Sequence, residues 1–138
     1  MAKDVATWSK DDSTKVGAVI TTLEGRPISW GFNGMAMGVD DSVPERKERP
    51  AKYKWTCHAE RNAMDLSPQG DLNNCVMYVT FSPCSICAQS IIQRGIRTVV
   101  IDEDFTADKA PDRWQEDMYV ALEMLKEGGV TIIAAKAD

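Results

Sequence analysis

The chain has 138 residues, a length that suits one domain around one core, and its 43% hydrophobic and 27% charged content is ordinary for a globular protein. No apolar run approaches bilayer length, and the opening MAKDVATWSKDD lacks the apolar centre of a secretory signal, so neither a membrane span nor export is expected and a cytoplasmic location is. A net charge of −5 argues against sequence-independent binding to nucleic-acid phosphates, although two or three local cations would still hold a single phosphate group.

In chain order, the apolar run Val16–Ile20 reads as a buried strand. Leu23–Arg26 supplies a turn, and Ile28–Phe32 a second strand, making a hairpin. Gly34 through Thr56 has no clear period, carries Pro44 and Pro50, and reads as a long loop. It holds the only basic cluster, Arg46, Lys47 and Arg49 with Lys52 and Lys54, for which a solvated polar loop is the plain reading. A helix is expected over Cys57–Leu66, a strand over Val76–Thr80, and a helix from Pro83 to Arg94 closed by Gly95. Arg97–Ile101 follows as a strand. Asp112–Lys126 is a helix with Trp114, Met118, Leu122 and Leu125 at core-like spacing, stopped by Gly128 and Gly129, and Val130–Ala134 is the last strand. Strands alternating with helices favour parallel pairing, and the hairpin adds an antiparallel pair. The expected fold is therefore α/β, a three-layer α/β/α sandwich on a mixed sheet, in one domain over residues 1–138.

Two of the expected helices begin with unusual chemistry: Cys57-His58-Ala59-Glu60, and Pro83-Cys84-Ser85-Ile86-Cys87. Helix starts beyond strand ends are where sites collect in open α/β sheets. His58 is the sole histidine; with the Cys84 and Cys87 thiolates it makes a Cys₂His set, which zinc accepts while keeping a fourth position for water. A disulfide or redox pair is the competing reading of Cys84 and Cys87, and a structural zinc site lacks an obvious fourth ligand. Cys57 and Cys75 read as small buried hydrophobes. Glu60, two residues after His58, is offset from it on a helix. It is either an acid satisfying the helix dipole or a carboxylate beside the metal that moves protons. Its company favours the second.

The pattern His-x-Glu … Pro-Cys-x-x-Cys resembles the signature of zinc-dependent deaminases. The segments 13–20, 31–34, 58–63 and 78–88 resemble the deoxycytidylate (dCMP) deaminases in particular. The resemblance implies a cytidine deaminase-like fold around a five-stranded sheet. It implies Zn²⁺ on His58, Cys84 and Cys87, with Glu60 as the proton shuttle, and hydrolysis of dCMP to dUMP with loss of ammonia from C4. It further implies that Asn33 reaches the sugar or base, and that the Ala59 amide with the strand end from Thr80 to Ser82 lines the pyrimidine pocket. Ser82 stands where tRNA-editing relatives more often carry an acid. Phe105 would pack either against the nucleotide or into the core. Many such enzymes are hexamers activated by dCTP and inhibited by dTTP with Mg²⁺, and the loop from Gly34 to Lys54 holds suitable cations and acids. This chain departs from larger relatives in its compact loop and in having no second Cys and His cluster. Such a compact chain also fits a viral protein, for which the cytoplasm would be the host's.

Arg26, Lys15 and the cluster around Arg49 are the candidates for phosphate binding. A deaminase of tRNA or single-stranded DNA would want a basic, aromatic-lined groove, which an acidic chain does not advertise. Other nucleobase deaminases share the metal motif, and parallel pairing of the last two strands disfavours the free-cytidine branch. A non-enzymatic zinc module is the rival of a different kind; it predicts no turnover and no role for Glu60 beyond stability.

Overall fold

A computed structural model of the chain describes residues 1–136. The apolar runs become the strands of one five-stranded sheet: β1 (Gly17–Thr22), β2 (Pro27–Phe32), β5 (Cys75–Val79), β6 (Thr98–Asp102) and β7 (Thr131–Ala135), in spatial order β2-β1-β5-β6-β7. β1 pairs antiparallel with β2 and with β5, whereas β5, β6 and β7 run parallel. The mixed sheet expected from the hairpin and the alternating elements is thus the one observed.

Period-two alternation decides which face each strand buries. Ala18, Ile20, Met77, Val79, Val99 and Ile101 are buried on one side. They meet Ala59, Ala63 and Met64 of α3 (Ala59–Asp65), Ala88 and Ile91 of α4 (Ser85–Gln93), and Ala121 and Leu125 of α5 (Asp112–Glu127). Small residues let α3 lie close on the sheet: a Cβ on Gly31 would come within 2.5 Å of the Ala63 nitrogen. On the other pleat, Gly17 is packed just as closely against the short helix α1 (Ala2–Ala6), and Lys3 of α1 lies 3.8 Å from the buried Asp102 at the end of β6. Helices therefore flank both faces, but α1 is short and leaves Trp30, Tyr78 and Ile133 exposed on its side.

Several boundaries differ from the sequence reading. Gly34–Met35 (β3) pairs with Thr56–Cys57 (β4), which closes the long loop like a clasp. Within that loop, α2 (Lys52–Trp55) follows a short turn of 3₁₀ helix at Pro44–Lys47. Cys57 is thus a strand residue and His58 the cap of α3, not members of its first turn; the backbone of His58 is extended. Pro83 likewise lies one residue before the cap of α4, which is Cys84, because the chain must stay extended to deliver that sulfur. At the far end of α4, Gly95 takes φ +85°, the left-handed conformation that glycine tolerates, as the closing role predicts.

Candidate active site

The cap positions of α3 and α4 bring the three predicted donors together. The Nδ1 atom of His58 lies 3.2 Å from Cys84 Sγ and 3.4 Å from Cys87 Sγ, and all three donor atoms fall within 4.8 Å of one another. No other group of three His, Cys, Asp or Glu residues converges this way among the described residues. Tetrahedral zinc with these ligands has donor–donor edges of roughly 3.6–3.8 Å. The set therefore fits zinc with a few tenths of an ångström of opening. No fourth His, Cys, Asp or Glu donor joins the cluster among the described residues, so a metal held there would keep one position open.

The electrostatics follow from the same crowding. The hydrogen bond from the Cys87 thiol pulls Cys84 down to about 4, against the opposing effect of burial, with help from His58 and the Cys87 backbone N–H. The Cys87 thiol is pushed upward by that hydrogen bond and by burial. His58 is raised, first by its hydrogen bond with Cys84, although burial opposes this. Glu60 is buried on the first turn of α3, and burial lifts its carboxyl to about 7 despite the pull of His58. A carboxyl poised near neutrality beside a candidate metal-binding triad suits proton transfer in both directions.

His58, Glu60 and Cys84 open onto a cavity of about 670 Å³. Ala59, Ser82 and Asn33, three of the residues expected to contact substrate, line it. Asn33 is already engaged: its Oδ1 accepts from the Val16 N–H at 2.8 Å and its Nδ2 donates to the Thr14 carbonyl at 2.8 Å. It fixes the entry to β1 and so shapes the wall. Thr80 is buried behind the lining, its hydroxyl accepting from the Gly17 N–H at 3.1 Å. Ser82 is buried and its Oγ has no partner among the described residues. Phe105 is not among the lining residues; it is 44% exposed and packs on Phe81, with ring centroids 5.6 Å apart.

The sequence reading missed the rest of the wall. Trp114, assigned to the core, stands edge-to-face with Phe81 at 6.2 Å, and both line the cavity. Lys52, Lys54 and Arg61 supply cations there, while Arg26 and Lys15 do not reach it. Asp117 also lines the cavity; its place within the stripe Trp114, Met118 and Ala121 was the available signal, an acid where the helix face is otherwise apolar. A second cavity of about 570 Å³ shares the Asp11, Lys52 and Thr56 wall. In that wall the Lys52 ammonium lies 3.1 Å from the Asp11 carboxylate, both largely buried. Arg49 and Lys47 of the basic cluster line this second cavity, whereas Arg46 covers the Trp55 ring at 4.1 Å.

Residues 1–103 match the family model for the cytidine and deoxycytidylate deaminase zinc-binding region. The chain belongs to this family. As a family member it is a hydrolytic deaminase, and its His58, Cys84 and Cys87 cluster is the candidate zinc site. An uncharacterized deaminase from the luxG 3′ region of Aliivibrio fischeri is 45% identical over 132 residues, spanning 96% of this chain and 86% of that one. Deoxycytidylate deaminase of Mus musculus is 40% identical over 128 residues, spanning 89% of this chain and 68% of that one. Among solved structures, dCMP deaminase of the cyanophage S-TIM5, in complex with dCMP and dUMP, superposes with a TM-score of 0.74 over 97% of this chain and 90% of that one. At 23% identity, that likeness speaks to the fold.

Proposed function

We propose that the protein hydrolyses dCMP to dUMP and ammonia with zinc held by His58, Cys84 and Cys87. The observation that carries this reading is the buried Glu60 carboxyl beside those three donors, at a cavity that also offers cations for one phosphate. Zinc, when bound, makes water nucleophilic near neutral pH. The chain's own residues do the remainder. Glu60, with its carboxyl near 7, takes a proton from water and delivers it to ring nitrogen N3 as the hydroxyl bonds to C4. It then takes the proton of that C4 hydroxyl and passes it to the 4-amino group, so that C4 becomes a carbonyl as the C4–N bond breaks and ammonia departs. Phe81 with Trp114 offers an aromatic wall to the pyrimidine, and Ser82 lines the cavity beside them. Lys54 and Arg61 supply the charge that a monophosphate needs and a free nucleoside does not, beside Lys52, which is paired with Asp11. The relatives named deoxycytidylate deaminase support the same substrate.

Regulation by dCTP as activator and dTTP as inhibitor, with Mg²⁺, belongs to the same reading, as do a hexameric assembly and a cytoplasmic role in supplying dUMP for thymidylate synthesis. The second cavity supports it: Lys10, Lys47 and Arg49 face acids Asp12, Asp41 and Glu48 around it, and Lys52 belongs to both cavities. Purified zinc-loaded protein offered dCMP, dCTP, deoxycytidine, CMP and a tRNA anticodon stem should release ammonia fastest from dCMP. Faster turnover of any of the others overturns the substrate assignment. A dTTP titration with and without magnesium should lower the rate; an unchanged rate and unchanged mass in solution remove the regulatory part.

A further inference from the structure

Helix α4 delivers both sulfur donors, yet its cap position is occupied by one of them. A helix start leaves N–H groups that a Ser, Thr, Asp or Asn at the cap usually satisfies. Here Cys84 takes that place, and of the helix's own N–H groups its sulfur accepts only from that of Cys87, at 3.5 Å. The missing acceptor comes from another helix. Asp117 of α5 accepts from the Ser85 N–H at 2.9 Å through Oδ2 and from the Ser85 hydroxyl at 2.6 Å through Oδ1. Ser85 is the first residue of α4 and sits between the two donors in sequence. Both oxygens of one carboxylate thus grip the first turn of the helix that presents the thiolates.

We infer that Asp117 is a positioning residue for the metal centre: by clamping Ser85 from α5 it fixes the distance and direction of Cys84 and Cys87 relative to His58. The inference rests on the reading that these three residues hold zinc. Charge alone gives Asp117 no reason to be there, because a carboxylate near two thiolates opposes their ionisation. The hydrogen-bond geometry is what it contributes. The clamp also ties the cavity wall on α5, with Trp114 one turn before Asp117, to the helix that carries the ligands.

The test uses the full-length zinc-loaded protein, with zinc release into excess chelator timed near neutral pH and the visible spectrum of the cobalt-substituted protein recorded. Asp117→Ala should release zinc about tenfold faster, the low end for outer-shell partners of metal ligands, and shift the cobalt ligand-field bands. Asp117→Asn keeps an acceptor for the Ser85 N–H and should stay within about threefold of the parent, since hydrogen bonding is the route. Ser85→Ala, which loses one of the two bonds, should fall between, and this holds the test open if Asp117→Ala fails to fold. Unchanged release and spectrum in Asp117→Ala, or in Ser85→Ala where Asp117→Ala does not fold, overturns the inference. So does release from Asp117→Asn as fast as from Asp117→Ala. Parent protein that binds no zinc at all overturns the zinc reading itself and the inference with it.

Discussion

Gly31→Ala tests whether the seat of α3 on the sheet sets the geometry of the site. The added Cβ would stand 2.5 Å from the Ala63 nitrogen, 2.6 Å from the Ala59 carbonyl oxygen and 2.8 Å from the Asn62 Cβ. Carbon contacts relax at about 3.5 Å, so α3 must withdraw by roughly 1 Å, and the first two obstacles are backbone atoms that no rotamer change removes. Two hydrogen bonds stitch α3 to β2: Ser29 Oγ to the Ala63 carbonyl at 2.6 Å, and Asn62 Nδ2 to the Phe32 carbonyl at 2.8 Å. A 1 Å withdrawal breaks both, at about 1 kcal/mol each. With about 1–3 kcal/mol for overpacking, the expected destabilisation is about 3–5 kcal/mol. His58 and Glu60 move with the helix, and a 1 Å misplacement of reacting groups costs up to about 10²-fold in rate. Gly17→Ala is the matched comparison, since its Cβ would meet Ala2 and Ala6 of α1, which carries none of the donors. Urea unfolding should find both variants destabilised, while chelator-driven zinc release should quicken in Gly31→Ala alone. Equal zinc retention in the two variants would refute the reasoning.

Glu60→Gln should retain zinc, measured by metal analysis, and lose about 10²–10⁴-fold in kcat, the usual contribution of a positioned acid–base group; wild-type turnover with zinc bound removes Glu60 from the chemistry. Ser82→Ala removes a buried hydroxyl that has no partner among the described residues, so the melting temperature should hold or rise; a fall of several degrees would show that the hydroxyl is bonded in the folded protein. For Asp11, burial acts to raise the carboxyl, but the N–H groups of Thr14 and Ser13, together with Lys52, outweigh it and hold it below the ordinary value. A carboxyl depressed in the folded state stabilises above its unfolded pKa and loses that stabilisation as pH falls. The stability advantage of the parent over Asp11→Asn should therefore be present near neutrality and shrink below about pH 4 in acid unfolding, and an advantage constant with pH would count against the ion pair.

The strands, the three longest helices and the candidate metal donors were legible in the sequence because each is encoded locally. β-rich apolar runs bounded by glycine and proline admit few other conformations, and a lone His58 with a Cys84-x-x-Cys87 pair leaves few other ways to build the site. What the sequence could not decide were directions and distant partners. His58 and Cys84 are 26 residues apart, and only the packing of α3 and α4 on one sheet face brings their atoms to 3.2 Å. Periodicity placed Trp114 on the apolar side of α5 but cannot distinguish a core neighbour from a cavity wall, since both demand an apolar surface. The same limit hid Asp117, whose partner Ser85 lies 32 residues earlier, and Asn33, whose amide is spent on Val16 and Thr14. Local sequence fixes which groups are present and how the backbone runs near them. Which polar groups meet is decided by tertiary packing, because a hydrogen bond depends on tenths of an ångström that no spacing rule carries.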